Sequence, residues 1–326
     1  MISRDNLIQG PALVTFDSDQ MYTEGDIQTD FNLETFERRT AIYGKVDEQI
    51  SDRSAKVSFV PMEITEANLT KLWPYASTPM GTKLFTGTDK PLEIWTTSGK
   101  KVTFAAAALT KCPNLILSAE KHILGQAEYT CLGANNTAWS TASSLVAVSS
   151  VSWVDPASLA LASVLQGTWS GSWAASGAWS AFTTENGFEI EFDVQTQPIK
   201  IDSDGTLTLV LTGFEVRAKC TPITTAAASE IGESELISAL QMQGSGSGRG
   251  KSMYNLASTY DLTITNDASA AQTPKQKLTV VLKKAAVKTA GMRFGHSVLR
   301  PGEVGWVANR TLSGSAITAL YTMALS

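Results

Sequence analysis

The sequence predicts a mainly β protein made of two tandem β-sandwich or barrel folds, each carrying one short α-helix. Three observations carry that expectation. Apolar and polar residues alternate in many short runs, turn residues separate the runs, and the runs recur in the same order in the two halves of the chain.

The stretch that anchors the repeat is Thr23 to Phe31, TEGDIQTDF, matched by Thr184 to Phe192, TENGFEIEF. Thr23 and Thr184 lie 161 positions apart, as do Phe31 and Phe192. Ile27, Thr29 and Phe31 alternate with Gln28 and Asp30, and Phe188, Ile190 and Phe192 alternate with Glu189 and Glu191. A period of two sends the apolar set, Ile27 and Phe31 included, toward a core and the polar set away from it.

The remaining elements follow in chain order. Leu7 to Gly10, LIQG, is repeated as Val164 to Gly167, VLQG, at an offset of 157. After the anchor comes Ala55 to Pro61, AKVSFVP, whose counterpart Val216 to Pro222, VRAKCTP, keeps the offset of 161; each run is stopped by its proline. Each half then has one helix signal. Thr65 is an N-cap, Glu66 opens the first turn, Leu69, Leu72 and Trp73 form the apolar stripe, and Pro74 ends it. Gly232 to Leu240 repeats this design, with Leu236 matching Leu69 at 167. Leu92 to Ile94 matches Leu262 to Ile264 at 170, Lys101 to Phe104 matches Lys277 to Val280 at 176, and Gly125 to Tyr129 matches Gly302 to Trp306 at 177. Offsets that only rise are the mark of a duplication whose second copy gained loop residues. The expected domains are 1–150 and 151–326, with Val148 to Ala181 supplying first a linker and then the opening strand of the second copy.

Composition narrows the function. Hydrophobic residues make up 43% of the chain and charged residues 17%, which suits a β protein much of whose surface is covered by neighbours. A net charge of −5 argues against a surface that grips nucleic acid. Cys112, Cys131 and Cys220 show no CxxC spacing and read as buried free thiols kept in a reducing compartment. No signal peptide is expected, and the longest apolar runs, Phe104 to Leu109 and Ala157 to Leu165, are too short to cross a bilayer, so no membrane partner is expected.

No catalytic constellation, metal site or cofactor motif stands out, so a non-enzymatic role is expected. The two histidines, His122 and His296, belong to no HExxH or HxH spacing, and no GxSxG nucleophile elbow is present. Gly250-Lys251-Ser252 looks like the end of a phosphate loop, but Ser245 stands where the first glycine belongs. The stretch Gln243 to Ser252, QGSGSGRGKS, reads as a surface loop. Trp153, Trp169, Trp173 and Trp179 read either as packing residues or as a sugar-binding platform.

The run Gly44 to Arg53, GKVDEQISDR, leading into AKVSFVPMEI, resembles the major tail tube proteins of long-tailed bacteriophages, as does Lys90 to Gly133, KPLEIWTTSGKKVTFAAAALTKCPNLILSAEKHILGQAEYTCLG. The resemblance implies tail-tube-like folds, a β-sandwich or open barrel flanked by one helix, whose rings stack into a hollow tube through which the genome leaves the virion. It implies assembly in the host cytoplasm, residence in the virion tail, contact with other tail proteins, and passage of DNA without tight binding. That family has one such fold per chain and six chains per ring. Two folds per chain therefore lead to an expected homotrimeric ring with pseudo-sixfold symmetry. On this reading the strand face with Gln28, Asp30, Glu189 and Glu191 lines the channel, or else those acids face solvent outside or pair with Lys56, Arg217 and Lys219 on an adjoining strand. The loop Gly244, Ser245, Gly246, Ser247, Gly248, Arg249, Gly250, with a shorter counterpart at Pro79 to Lys83, is expected to contact the next ring. Another ring-forming tail component, distal or tube-terminating, and a carbohydrate-binding β-sandwich are the alternatives.

Overall fold

The computed structural model describes residues 12–118, 122–133, 145–152, 168–173, 178–201, 205–223, 237–240, 260–266, 277–294, 299–310, 312–313 and 316–325. The first half contributes β1 (Ala12–Phe16), β2 (Asp19–Met21), β3 (Thr23–Thr40), β4 (Gly44–Pro61), α1 (Glu66–Leu72), β5 (Lys90–Thr96), β6 (Lys100–Lys111), β7 (Leu115–Leu117), β8 (His122–Leu124), β9 (Ala127–Leu132) and β10 (Val146–Ser150). The second contributes β11 (Trp169–Ser172), β12 (Phe182–Ile201), β13 (Gly205–Ile223), β14 (Tyr260–Asn266), β15 (Leu278–Phe294), β16 (Leu299–Val307), β17 (Leu312–Ser313), β18 (Ala316–Ile317) and β19 (Tyr321–Leu325). The protein is mainly β, with two large antiparallel sheets.

The two sheets have the same plan. One runs β1-β5-β6-β9-β4-β3, with β2 on β1 and β10 on β6; the other runs β11-β14-β15-β16-β13-β12, with β19 on β15. In the second sheet β11 also pairs with β12, through Ser170 opposite Thr183, so six strands close into a barrel.

Register confirms the anchor at the level of single pairs. Phe31 faces Ala55 and Thr29 faces Val57; 161 positions on, Phe192 faces Val216 and Ile190 faces Ala218. Val57 faces Tyr129 as Ala218 faces Trp306. Both anchor strands shift register just before this run, at a glycine with left-handed backbone: Gly25, φ 77, and Gly187, φ 85. That conformation is cheap only without a Cβ, and it realigns the strand so that the following alternation meets the core. LIQG and VLQG lie outside the described residues, but Val14 opposite Ile94 and Gly171 opposite Ile264 carry the same 157 offset.

One match moves. Ile94 pairs with Val102 and Ile264 with Val280, so Val102 corresponds to Val280, an offset of 178 rather than 176. The offsets therefore do not strictly rise. A two-residue slip keeps the same side chains on the buried face, so alternation alone cannot detect it.

α1 begins as its sequence requires, with the Thr65 hydroxyl accepting the Asn68 amide at 3.2 Å. Of the second helix signal, residues 237–239 are helical and Ala239 is buried; residues 232–236 lie outside the described region.

The halves share one continuous apolar core. In the first half Tyr129 stacks on Phe59, with ring centroids 5.9 Å apart. In the second half Trp306, Trp179, Trp173 and Phe182 pack ring against ring. Across the junction Trp73 meets Phe192 at 6.0 Å, Tyr75 meets Phe214 at 5.7 Å, and the Tyr321 hydroxyl donates to the Trp73 carbonyl at 2.7 Å. The hairpin β7–β8, although it belongs to the first half of the sequence, adds to the second sheet: Leu117 faces Phe188 and Leu115 faces Ile190 across the β7–β12 join. Cys112, Cys131 and Cys220 are free and buried, and burial pushes each thiol well above its ordinary pKa.

Candidate assembly surface

The longest exposed feature is the β3–β4 hairpin. Each strand has 18 residues, more than the sheet can cover, and from Phe31 to Ser51 every side chain is exposed. About ten residues per strand at roughly 3.3 Å each make an arm on the order of 30 Å long. Its exposed residues include Phe31, Leu33, Phe36, Ile42, Tyr43, Val46 and Ile50. Charged pairs hold it together locally: Lys45 reaches Glu48 at 2.6 Å and Glu37 at 3.3 Å, and Arg39 reaches Glu37 at 2.6 Å. Such exposed pairs contribute little net stability, and an isolated two-stranded ribbon is marginal in water. Exposed large apolar side chains gathered on one ribbon, on both of its faces, mark an interaction surface.

The arm is clamped at its base to the second long hairpin, β12–β13. The nearly buried Asp52 carboxylate accepts the Thr206 amide at 3.1 Å and the Thr206 hydroxyl at 2.5 Å. Lys200 lies 3.4 Å from Asp52 and 2.5 Å from Glu34. Burial alone would raise the Asp52 pKa, but the Thr206 hydroxyl and amide, the Arg53 amide and the Lys200 ammonium outweigh it and hold the carboxyl below its ordinary range. A depressed carboxyl pKa stabilises the fold at every pH above the ordinary carboxylate value, and that contribution fades as the group is protonated at lower pH. Asp52→Ala is therefore expected to destabilise the protein by about 2 kcal/mol at pH 7. Urea unfolding of the two proteins should show the gap narrowing as the pH is taken below about 4. A gap that is absent at pH 7, or that stays constant down to pH 2.5, contradicts the clamp.

The residues expected to line a channel do point away from the core. Glu189 and Glu191 share Lys219, at 2.9 and 3.6 Å, while Arg217 turns to Glu215 at 2.9 Å. The hydrogen bond from Lys219 to Glu189 raises the lysine's pKa, and that from Arg217 to Glu215 lowers the carboxyl's. In the first half Asp30 accepts the Gln28 amide at 2.9 Å, and Lys56, its cross-strand neighbour, reaches Glu128 at 2.9 Å instead. Together with Lys288 and Glu303, the second-half charges rim a shallow groove of about 390 Å³ on the outer face of β12, β13, β15 and β16. This face is a ladder of both signs, not an acidic wall.

Two expectations are met only in part. Phe31 turns its ring toward buried Phe104, with centroids 6.2 Å apart, but it is 60% exposed, unlike Phe188, Ile190 and Phe192, because among the described residues no strand pairs with this part of the edge strand β3. Pro79 to Lys83 is largely exposed but is not a free loop. Gly81 donates to the Leu211 carbonyl at 2.8 Å and Leu211 to that of Thr82 at 3.0 Å, so the segment continues the sheet of the other half. Gly244 to Gly250 lies outside the described residues. The tryptophans at 169, 173 and 179 are buried and offer no sugar platform; Trp153 is outside the described region.

Sequence reasoning missed the arm. Its signal was the length of the two runs on either side of Gly44, which exceeds any ordinary strand. Among the described residues no helix is long and apolar enough to cross a membrane, and no cluster of three His, Cys, Asp or Glu residues is placed to hold a metal ion. No family model matches the chain, and no curated protein matches it significantly.

Proposed function

We propose that the chain is a structural subunit of a bacteriophage tail, a major tail tube protein whose copies close into rings and stack into a hollow conduit for DNA. One observation supports this reading above the rest: positions that are covered in the second half are bare in the first. Phe192 is 4% exposed and Leu211 0%, whereas their counterparts Phe31 and Ile50 are 60% and 51% exposed. A fold repeated twice in one chain, with one copy's edge satisfied and the other's open, is a unit that adds to others like itself. Three chains supply six folds to a ring. The mixed-charge ladder with Glu189, Glu191, Arg217 and Lys219 suits a channel wall, since a surface without a cationic excess holds DNA phosphates weakly.

Electron microscopy of the concentrated protein tests the proposal. The expected result is tubes of stacked rings, each with threefold and pseudo-sixfold symmetry. Single rings that never stack would instead assign the chain to a distal or tube-terminating role. A protein that stays monomeric at all concentrations would exclude both.

A further inference from the structure

The contact between the two halves has a partly missing twin. Within the chain, β7 lies along the outer edge of β12, with Leu117 opposite Phe188, Ile116 opposite Glu189 and Leu115 opposite Ile190. Leu115, Leu117, Phe188 and Ile190 are all buried there. By the internal repeat, β12 corresponds to β3, so the edge at Phe188 to Ile190 corresponds to Ile27 to Thr29. No strand among the described residues pairs with that edge of β3.

The other partner of the missing contact is also present. Leu115 and Met292, Leu117 and Phe294, and Leu124 and Pro301 each lie 177 positions apart. The pairings agree: Leu115 faces Leu124 and Leu117 faces His122 in the first half, and Met292 faces Pro301 and Phe294 faces Leu299 in the second. The same close crossing of backbones sits at the root of both hairpins. A Cβ on Gly125 would fall 2.8 Å from the Asn114 nitrogen, and one on Gly302 would fall 2.8 Å from the Gly291 carbonyl carbon. The tip of β15–β16 is thus the second-half version of β7–β8, and it lies on no further sheet of its own chain among the described residues. Met292 there is exposed, where its counterpart Leu115 is fully buried.

We infer that the β15–β16 tip of one copy adds as a strand to the free edge of β3 in a second copy, in the register of the internal join. Phe294 then faces the second copy's Ile27, Arg293 its Gln28, and Met292 its Thr29. The added strand brings its hairpin over Phe31, the position whose counterpart Phe192 is covered inside the chain. The contact is head-to-tail: each copy offers its second half and receives with its first, so every copy has one of each and the series closes only as a ring. Backbone pairing provides affinity and the alternating apolar residues fix the register. This rests on the self-assembly part of the function proposed above, but not on the virion.

The test is disulfide trapping in the full chain carrying Thr29→Cys and Met292→Cys. Cα atoms of directly opposed residues in an antiparallel pair lie about 4.5–5.5 Å apart, within disulfide reach. The three native cysteines are buried, so they add little background. Under mild oxidation a non-reducing gel should show a ladder of covalent multiples, at least tenfold above either single variant. Thr29→Cys with Arg293→Cys should give no ladder, because a one-residue step puts that side chain on the opposite face. Dimers from Thr29→Cys alone would mean that β3 edges pair with each other and would overturn the inference. Rings by microscopy without a ladder would overturn this pairing and leave the ring standing. Absence of any association in light scattering would remove both.

Discussion

Trp306→Ala is expected to lower the unfolding free energy by about 4 kcal/mol, the largest single-residue effect foreseen for this fold. Trp306 is 1% exposed and stands where β13, β15 and β16 meet, opposite Ala218 on one side and Val287 on the other. Its ring stacks on Phe182 at 6.1 Å and meets Trp179 at 5.8 Å and Trp173 at 6.3 Å. Its indole nitrogen has no hydrogen-bond partner among the described residues, so truncation sacrifices packing. Trp306→Phe keeps much of the ring contact and should cost well under half as much. Urea unfolding followed by circular dichroism measures both. A loss below about 1.5 kcal/mol for the alanine variant would mean that neighbours collapse into the space and the aromatic cluster does not hold the second barrel together.

The second large effect concerns assembly and leaves the fold intact. Phe36→Ser, Ile42→Ser and Val46→Ser together are expected to abolish tube formation while thermal melting stays within a few degrees of the parent. All three side chains are exposed in the single chain, so replacing them removes no core contact. In an assembly that covers the arm, each loss of apolar burial costs about 1.5–3 kcal/mol per contact, and every chain in a ring suffers it. At a concentration where the parent forms the proposed tubes, sedimentation should find the triple variant as small species. Tubes of ordinary length would remove the arm from the assembly.

Much of the fold was legible because alternation and turns report local geometry. The anchor at Ile27 to Phe31 and Phe188 to Phe192, the proline-stopped strands after it, and the Thr65 cap all appear where the residues require. What alternation cannot report is which surface lies against a given face. Phe31 and Phe192 occupy equivalent strand positions, yet Trp73 and Tyr321 cover only the second. For the same reason the residues Gln28, Asp30, Glu189 and Glu191 could be assigned to an outward face with Lys219 among their partners, but not the turn of Arg217 to Glu215 and of Lys56 to Glu128. Pro79 to Lys83 misled because glycine and proline mark a departure from regular structure. They do not reveal that a short extended segment beside them pairs with a strand more than a hundred residues away.

The junction made by β7–β8 on β12 has a kinetic meaning as well. A contact tethered within one chain forms at an effective concentration on the order of millimolar and is indifferent to how dilute the protein is. A contact between copies depends on diffusion and on protein concentration. In the proposed ring of three chains, fusing two folds makes half of the six joins unimolecular and lowers the number of free bodies that must meet from six to three. Early in expression, when subunits are scarce, a nucleus of three forms far more readily than one of six. The duplicated chain would start tubes at concentrations where its single-fold equivalent remained dispersed.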